Sequence, residues 1–206
     1  MLFRKLAETW AFTLSQAAGE EDTYRRDLAR YVFETLLSGA LSLAFVVAFS
    51  LIFGVFRTAL LITAAIAILK SFAGGLHMST PLRCAVAGAF AAVVFSYLAL
   101  WFPWPRYSAF FRILFLTVIN VIVWEKAPLE TKSKPLTPAQ KHNLAFLSRV
   151  LVFTASLICL LFPKVWGVNE LFYALLFQGV NLLEVTGRGV DKLDHLMGYV
   201  EKNPVF

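Results

Sequence analysis

Residues 70–84 read KSFAGGLHMSTPLRC, and they separate a pair of long apolar runs with adjacent glycines, a histidine, a proline and a cysteine. Whether a helix runs through this stretch or breaks in it decides how the chain is organised. On an unbroken helix His77 and Cys84, seven positions apart, would share a face but stand about 10.5 Å apart along the axis. Gly74 and Gly75 admit backbone conformations closed to other residues, and Pro81 biases Thr80 away from the helical region. The stretch therefore reads as a fold-back, with a new helix starting at Pro81 under a Thr80 or Ser79 cap.

The surroundings are those of a membrane protein. The 206 residues are 59% hydrophobic and 16% charged, with a mean hydropathy of +0.69, more apolar surface than a soluble domain of this length can hide. Six runs approach the roughly 20 residues that a crossing helix needs: 36–56, 58–72, 83–102, 108–124, 144–162 and 165–187. The expected fold is all-α, a single polytopic domain of about six spans over residues 36–187. Residues 1–35 form an N-terminal segment, 125–143 a polar loop, and 188–206 a tail. No removable signal peptide is expected, because no short apolar core with a cleavage site precedes the first run.

With an even number of spans both termini share one side. That side collects fourteen lysines and arginines in its connections and tails, against Arg57, Arg106 and Lys164 on the other. The bias puts the termini, the polar loop and residues 70–84 in the cytoplasm of a multi-pass cell-membrane protein. It also accounts for the net charge of +6, so no nucleic-acid site is read. Leu2, Leu6, Trp10 and Leu14 recur every four residues, which predicts an amphipathic helix lying on the bilayer or packed on the spans. The next helix follows a cap at Asp22 or Thr23. Pro128, Pro135 and Pro138 keep the polar loop from forming one continuous helix.

Cys159 lies within an apolar run, where a thiol behaves as a small hydrophobe. Cys84 falls in the first turn of the Pro81 helix, where free amides, the helix dipole and Arg83 favour a thiolate. A histidine folded back over that turn can accept the thiol proton and later protonate a leaving amine. His77 and Cys84 are thus a nucleophilic pair in outline, set against the plainer reading of two inert side chains at a membrane edge. A metal would need three or four ligands, and His142 and His195 are far along the chain, so neither metal nor cofactor is expected.

The stretch AGGLHMSTPLRC, together with KAPLETKSKPLTPAQK after the fourth run, resembles the accessory gene regulator B family of membrane cysteine endopeptidases. The resemblance implies Cys84 as nucleophile and His77 as base, with Gly74 and Gly75 shaping the turn. Lys70 stands where the family often has arginine, a point charge in place of a bidentate fork. The implied reaction removes the C-terminal tail of a signal-peptide precursor through a thioester on Cys84. The retained peptide then closes on that thioester as a thiolactone or lactone for quorum sensing. The implied partner is a precursor with an amphipathic leader and an acidic tail, met at the lipid bilayer, and a homo-oligomer is left open. Gln178, Asn181 and Glu184, spaced by three, are candidates to orient His77 or touch substrate, with Asn120 a further option. Ser79 is either a cap or an oxyanion donor. The alternative is a small transporter or scaffold in which Arg112, Arg149, Asn120 and Gln178 line a pathway.

Overall fold

The computed structural model describes residues 8–10, 12–13, 23–129 and 137–202. Among them the ordered elements are helical: α1 Thr23–Ile52, α2 Phe56–Ala73, α3 Pro81–Trp101, α4 Ala109–Lys126, α5 Pro138–Leu161, α6 Val168–Asn181 and α7 Glu184–Lys202. A short 3-10 turn, Trp104–Arg106, precedes α4. Leu2, Leu6 and Leu14 of the expected N-terminal stripe lie outside the described residues, as do Asp22 and residues 130–136 of the polar loop. Trp10 meets the Phe33 ring edge-on with centroids 5.5 Å apart, so this portion of the stripe touches α1.

Four stretches are long and apolar enough to cross a membrane: Val32–Ile52, Phe56–Ala73, Pro81–Arg106 and Pro138–Leu161. The other two expected spans differ from the rest. Helix α4 carries Arg112, Glu125 and Lys126 within its 18 residues. Helix α6 has 14 residues, about 21 Å of helix against a hydrocarbon core of about 30 Å. The last apolar run is not one helix to residue 187. It tightens where Leu182 and Leu183 donate back to the Gly179 and Val180 carbonyls, and restarts as α7. The charged sequence from Glu184 onward does not suit the core that α6 enters, so the break falls where polarity changes. Much of the expected tail is this amphipathic α7 helix.

Helix α6 is the central element, packing against α2, α3, α4 and α5 and burying Phe172, Tyr173, Ala174, Leu175, Gln178 and Asn181. Its first turns are fixed by fully buried Trp104. That indole stacks on Phe172 at 3.8 Å between centroids and donates from Nε1 to the Cys159 carbonyl at 2.9 Å. The Tyr173 hydroxyl donates to the Phe102 carbonyl at 2.7 Å. Helix α1 leans on α3 over a second small core in which Ala59, Ala89 and Ala92 allow close approach. Phe90, Phe110, Phe153 and Leu161 remain on the outside, a surface that suits lipid and not water. The far end of α6 reaches residues 70–84.

Candidate active site

Helix α2 ends at Ala73 because Gly74 takes φ 70° and ψ −165°, a region essentially reserved for glycine. The turn is held from two sides. The Leu129 amide donates to the Ala73 carbonyl at 3.0 Å, making an isolated parallel bridge between Gly74 and Leu129. Gln178 Nε2, from the buried face of α6, donates to the Gly74 carbonyl at 2.9 Å. Beyond the turn the chain reverses into α3. Thr80 is the cap, its side chain accepting from the Arg83 amide, and Pro81 opens the helix. The local stereochemistry expected from Thr80 and Pro81 is therefore what forms.

The fold-back carries His77 over the first turn of α3, where its Nδ1 lies 3.9 Å from Cys84 Sγ. Cys84 is half-buried, and His77 is exposed. Desolvation of the imidazole by the protein around it, and then the charge of Lys70, push it down to about 4, so it is neutral near pH 7 and able to accept a proton. Among the described residues the Cys84 thiol is the polar partner of this ring, and no carboxylate orients it.

Lys70 reaches into the same space. Its Nζ donates to the Leu76 carbonyl at 2.8 Å, and its charge acts on both Cys84 and His77. A single carbonyl asks for one donor, so lysine serves where a bidentate fork is not required. Gly75 is buried beneath this arrangement. A Cβ there would run into Asn181 Nδ2 and stand 2.9 Å from Lys70 Cε. Asn181 Nδ2 and Gln178 Oε1 are buried without hydrogen-bond partners among the described residues, leaving unused polar capacity beside the turn.

On its outer side the loop meets α7. The Asp194 carboxylate accepts from the Ser79 amide at 3.2 Å, the Ser79 hydroxyl at 3.0 Å and Arg83 Nη1 at 3.0 Å. Partial burial opposes its charge, but the hydrogen bonds from Arg83 and Ser79 outweigh this and hold the carboxyl below its ordinary value. Ser79 is thus committed to α7, and Arg83 is turned toward Asp194. Sequence reasoning missed Asp194. The signal was faint, an acid within a helix whose small residues Gly187 and Gly198 share its face.

Two expected contributors are engaged elsewhere. Glu184 falls beyond the break after α6, is exposed, and pairs with Lys126 at 2.7 Å. Asn120 donates to Ser156 Oγ at 2.8 Å and, with Arg149, lines a groove of about 600 Å³ between α4 and α5. Gln178 contacts the Gly74 turn instead, so these side chains do not line one pathway.

Compared with known protein families, residues 7–183 match the model of accessory gene regulator B. Protein FsrB of Enterococcus faecalis is 23% identical over 171 residues, covering 81% of this chain and 68% of that protein. No solved structure matches the chain. His77, Cys84 and helices α2, α3 and α6 fall within the matched region, whereas α7 lies beyond it. The chain belongs to the accessory gene regulator B family, and through it to the processing of quorum-sensing peptides.

Proposed function

We propose that the protein is a membrane cysteine endopeptidase that trims and cyclises a signal-peptide precursor. The observation that carries this reading is the approach of His77 Nδ1 to Cys84 Sγ at the start of α3. Neutral His77 takes the Cys84 proton on Nδ1, which requires the tautomer protonated on Nε2. The thiolate adds to the scissile carbonyl, and the tetrahedral centre collapses as the imidazolium returns the proton to the leaving amine. The acidic tail departs and the retained peptide is left as a thioester on Cys84. A thiol or hydroxyl of that peptide then gives its proton to His77 and attacks the thioester, and Cys84 Sγ leaves as the ring closes.

Lys70 supports the thiolate by its charge, and Asn181 offers an unused amide donor to the substrate beside Gly75. The 3.9 Å separation is looser than a working hydrogen bond and tightens when the peptide fills the site. The reaction belongs on the cytoplasmic side of a multi-pass protein, where a new precursor arrives. Low water at a membrane edge protects the thioester while holding the peptide's own nucleophile close.

The test is co-expression with the tagged peptide encoded by a short reading frame beside the gene, followed by mass spectrometry. The native protein should release the tail and yield a product one water lighter than the linear, hydrolysed fragment. Cys84→Ala and His77→Ala should leave the precursor whole while remaining inserted. Full cleavage by a stable Cys84→Ala protein would overturn the reading.

A further inference from the structure

We propose that Asp194 is a positioning residue: acting through Ser79 and Arg83, it clamps both sides of the segment joining His77 to Cys84, so that α7 fixes the geometry of the pair. The consequence for catalysis rests on the peptidase reading above; the clamp itself is a statement about structure.

The two clamped residues are informative. Ser79 is two positions after His77, and Arg83 immediately precedes Cys84. One carboxylate gathers the Ser79 amide, the Ser79 hydroxyl and Arg83 Nη1, and the Asp194 main-chain carbonyl accepts from Nη1 as well at 3.1 Å. Arg83 Nη1 also reaches Ser79 Oγ at 3.0 Å, closing the network. Amides ahead of a helix start have no partner in the helix, so Asp194 supplies what the backbone at Ser79 lacks. The side chains of Arg83 and Asp194 are 12% and 20% exposed, enclosed enough for a charge-assisted contact to hold geometry.

The helix is shaped for this contact. A Cβ on Gly198 would come within 3.0 Å of Arg83 Nη2, and one on Gly187 would sit 3.5 Å from Leu76 Cδ2. Gly187, Asp194 and Gly198 follow one another at spacings of seven and four, so they lie on one face of α7. Val185, Leu193, Leu196 and Tyr199 are exposed elsewhere around it. That face therefore meets the loop at three places, each at a residue no more than two positions from His77 or Cys84. No residue of 74–84 belongs to either buried apolar cluster, and a 1 Å displacement of a reacting group can cost about a hundredfold in rate.

The experiment uses the full-length protein in phosphatidylglycerol–phosphatidylcholine nanodiscs, native and with Asp194→Asn, Asp194→Glu and Ser79→Ala. Hydrogen–deuterium exchange over residues 74–84 reads the clamp without any substrate. Cleavage of the same tagged precursor reads kcat and KM separately. In Asp194→Asn, exchange at the Ser79 segment should rise at least about tenfold while α2 and α5 keep native protection. Its kcat should fall about tenfold to a hundredfold with KM within about twofold, and Asp194→Glu should regain some of the loss. Arg83→Gln added to Asp194→Asn should cost less than the sum of the two single changes, because the two residues share the contact between them. Native exchange in Asp194→Asn overturns the clamp, and faster exchange with native kcat overturns the positioning role. If Asp194→Asn fails to insert, Ser79→Ala carries the same two readouts. If the native protein cleaves nothing, the peptidase reading falls, and the exchange result alone decides the clamp.

Discussion

Replacing Gly74 and Gly75 one at a time by alanine separates what holds the fold from what furnishes the site. At Gly74 the backbone pair φ 70°, ψ −165° costs a side-chain-bearing residue about 1–3 kcal/mol. The new Cβ would also lie 2.5 Å from the Leu129 carbonyl oxygen and 3.1 Å from its nitrogen. Those are backbone atoms, so relief means giving up the Leu129–Ala73 and Gln178–Gly74 hydrogen bonds, at about 1 kcal/mol each. Gly74→Ala should therefore lose about 3–5 kcal/mol, roughly 10 °C in melting midpoint for a chain of this size. Asparagine should not rescue it, because that ψ lies outside the left-handed helical well. The nearest atoms a Cβ at Gly75 would meet are Asn181 Nδ2 and Lys70 Cε and Cδ, near the tips of side chains that can swing away, so the cost of Gly75→Ala sits at the low end of about 1–3 kcal/mol. Moving those tips displaces two groups beside His77 and Cys84, and precursor cleavage should drop at least tenfold, about 1.4 kcal/mol in barrier. Circular-dichroism melting in detergent and the cleavage assay read both variants. Native melting of Gly74→Ala, or a larger stability loss in Gly75→Ala than in Gly74→Ala, would refute this assignment of the two glycines.

Activity that needs neutral His77 should be present above its folded pKa and fade as pH falls through it, so the acid limb of kcat/KM belongs near 4 and not near the ordinary imidazole value. Lys70→Gln removes the weaker of the two causes, so the limb should move up but stay below 6.5; an unmoved limb in a cleavage–pH profile would count against the pairing. Trp104→Ala should cost about 3–5 kcal/mol by emptying its buried site. Trp104→Phe should cost less, losing the bond to the Cys159 carbonyl but keeping an aromatic ring against Phe172, and equal melting losses for the two would rule out the stack as the main term.

The features of the fold written in local stereochemistry were legible from sequence. Thr80 and Pro81 start a helix through their own backbone and side-chain preferences, Gly74 ends one, and the apolar runs follow from composition alone. The break at Leu182 and Leu183 was hidden because both residues are apolar and neither is glycine or proline; what ends α6 is the polarity of the sequence after it. Within the site, His77 and Cys84 could be paired because the residues between them force a reversal. Asp194 could not be found that way, since 115 positions separate it from Ser79 and an acid among Asp191, Lys192 and His195 looks like an ordinary solvated residue. The misplacement of Glu184 has the same origin: helical spacing from Gln178 holds only while the helix lasts.

The position of α7 bears on how this protein can be recombined with its relatives. The family match ends at residue 183, which invites a chimera joined there. Such a graft would inherit His77, Ser79, Arg83 and Cys84 from one parent and whatever faces them from the other. Without a carboxylate in register with Asp194 and a small residue in register with Gly198, the transplanted helix would either lose the contact that Asp194 makes to Arg83 and Ser79 or push Arg83 aside. The workable crossover therefore lies upstream of residue 70 or downstream of residue 202, so that the loop and its strap travel together.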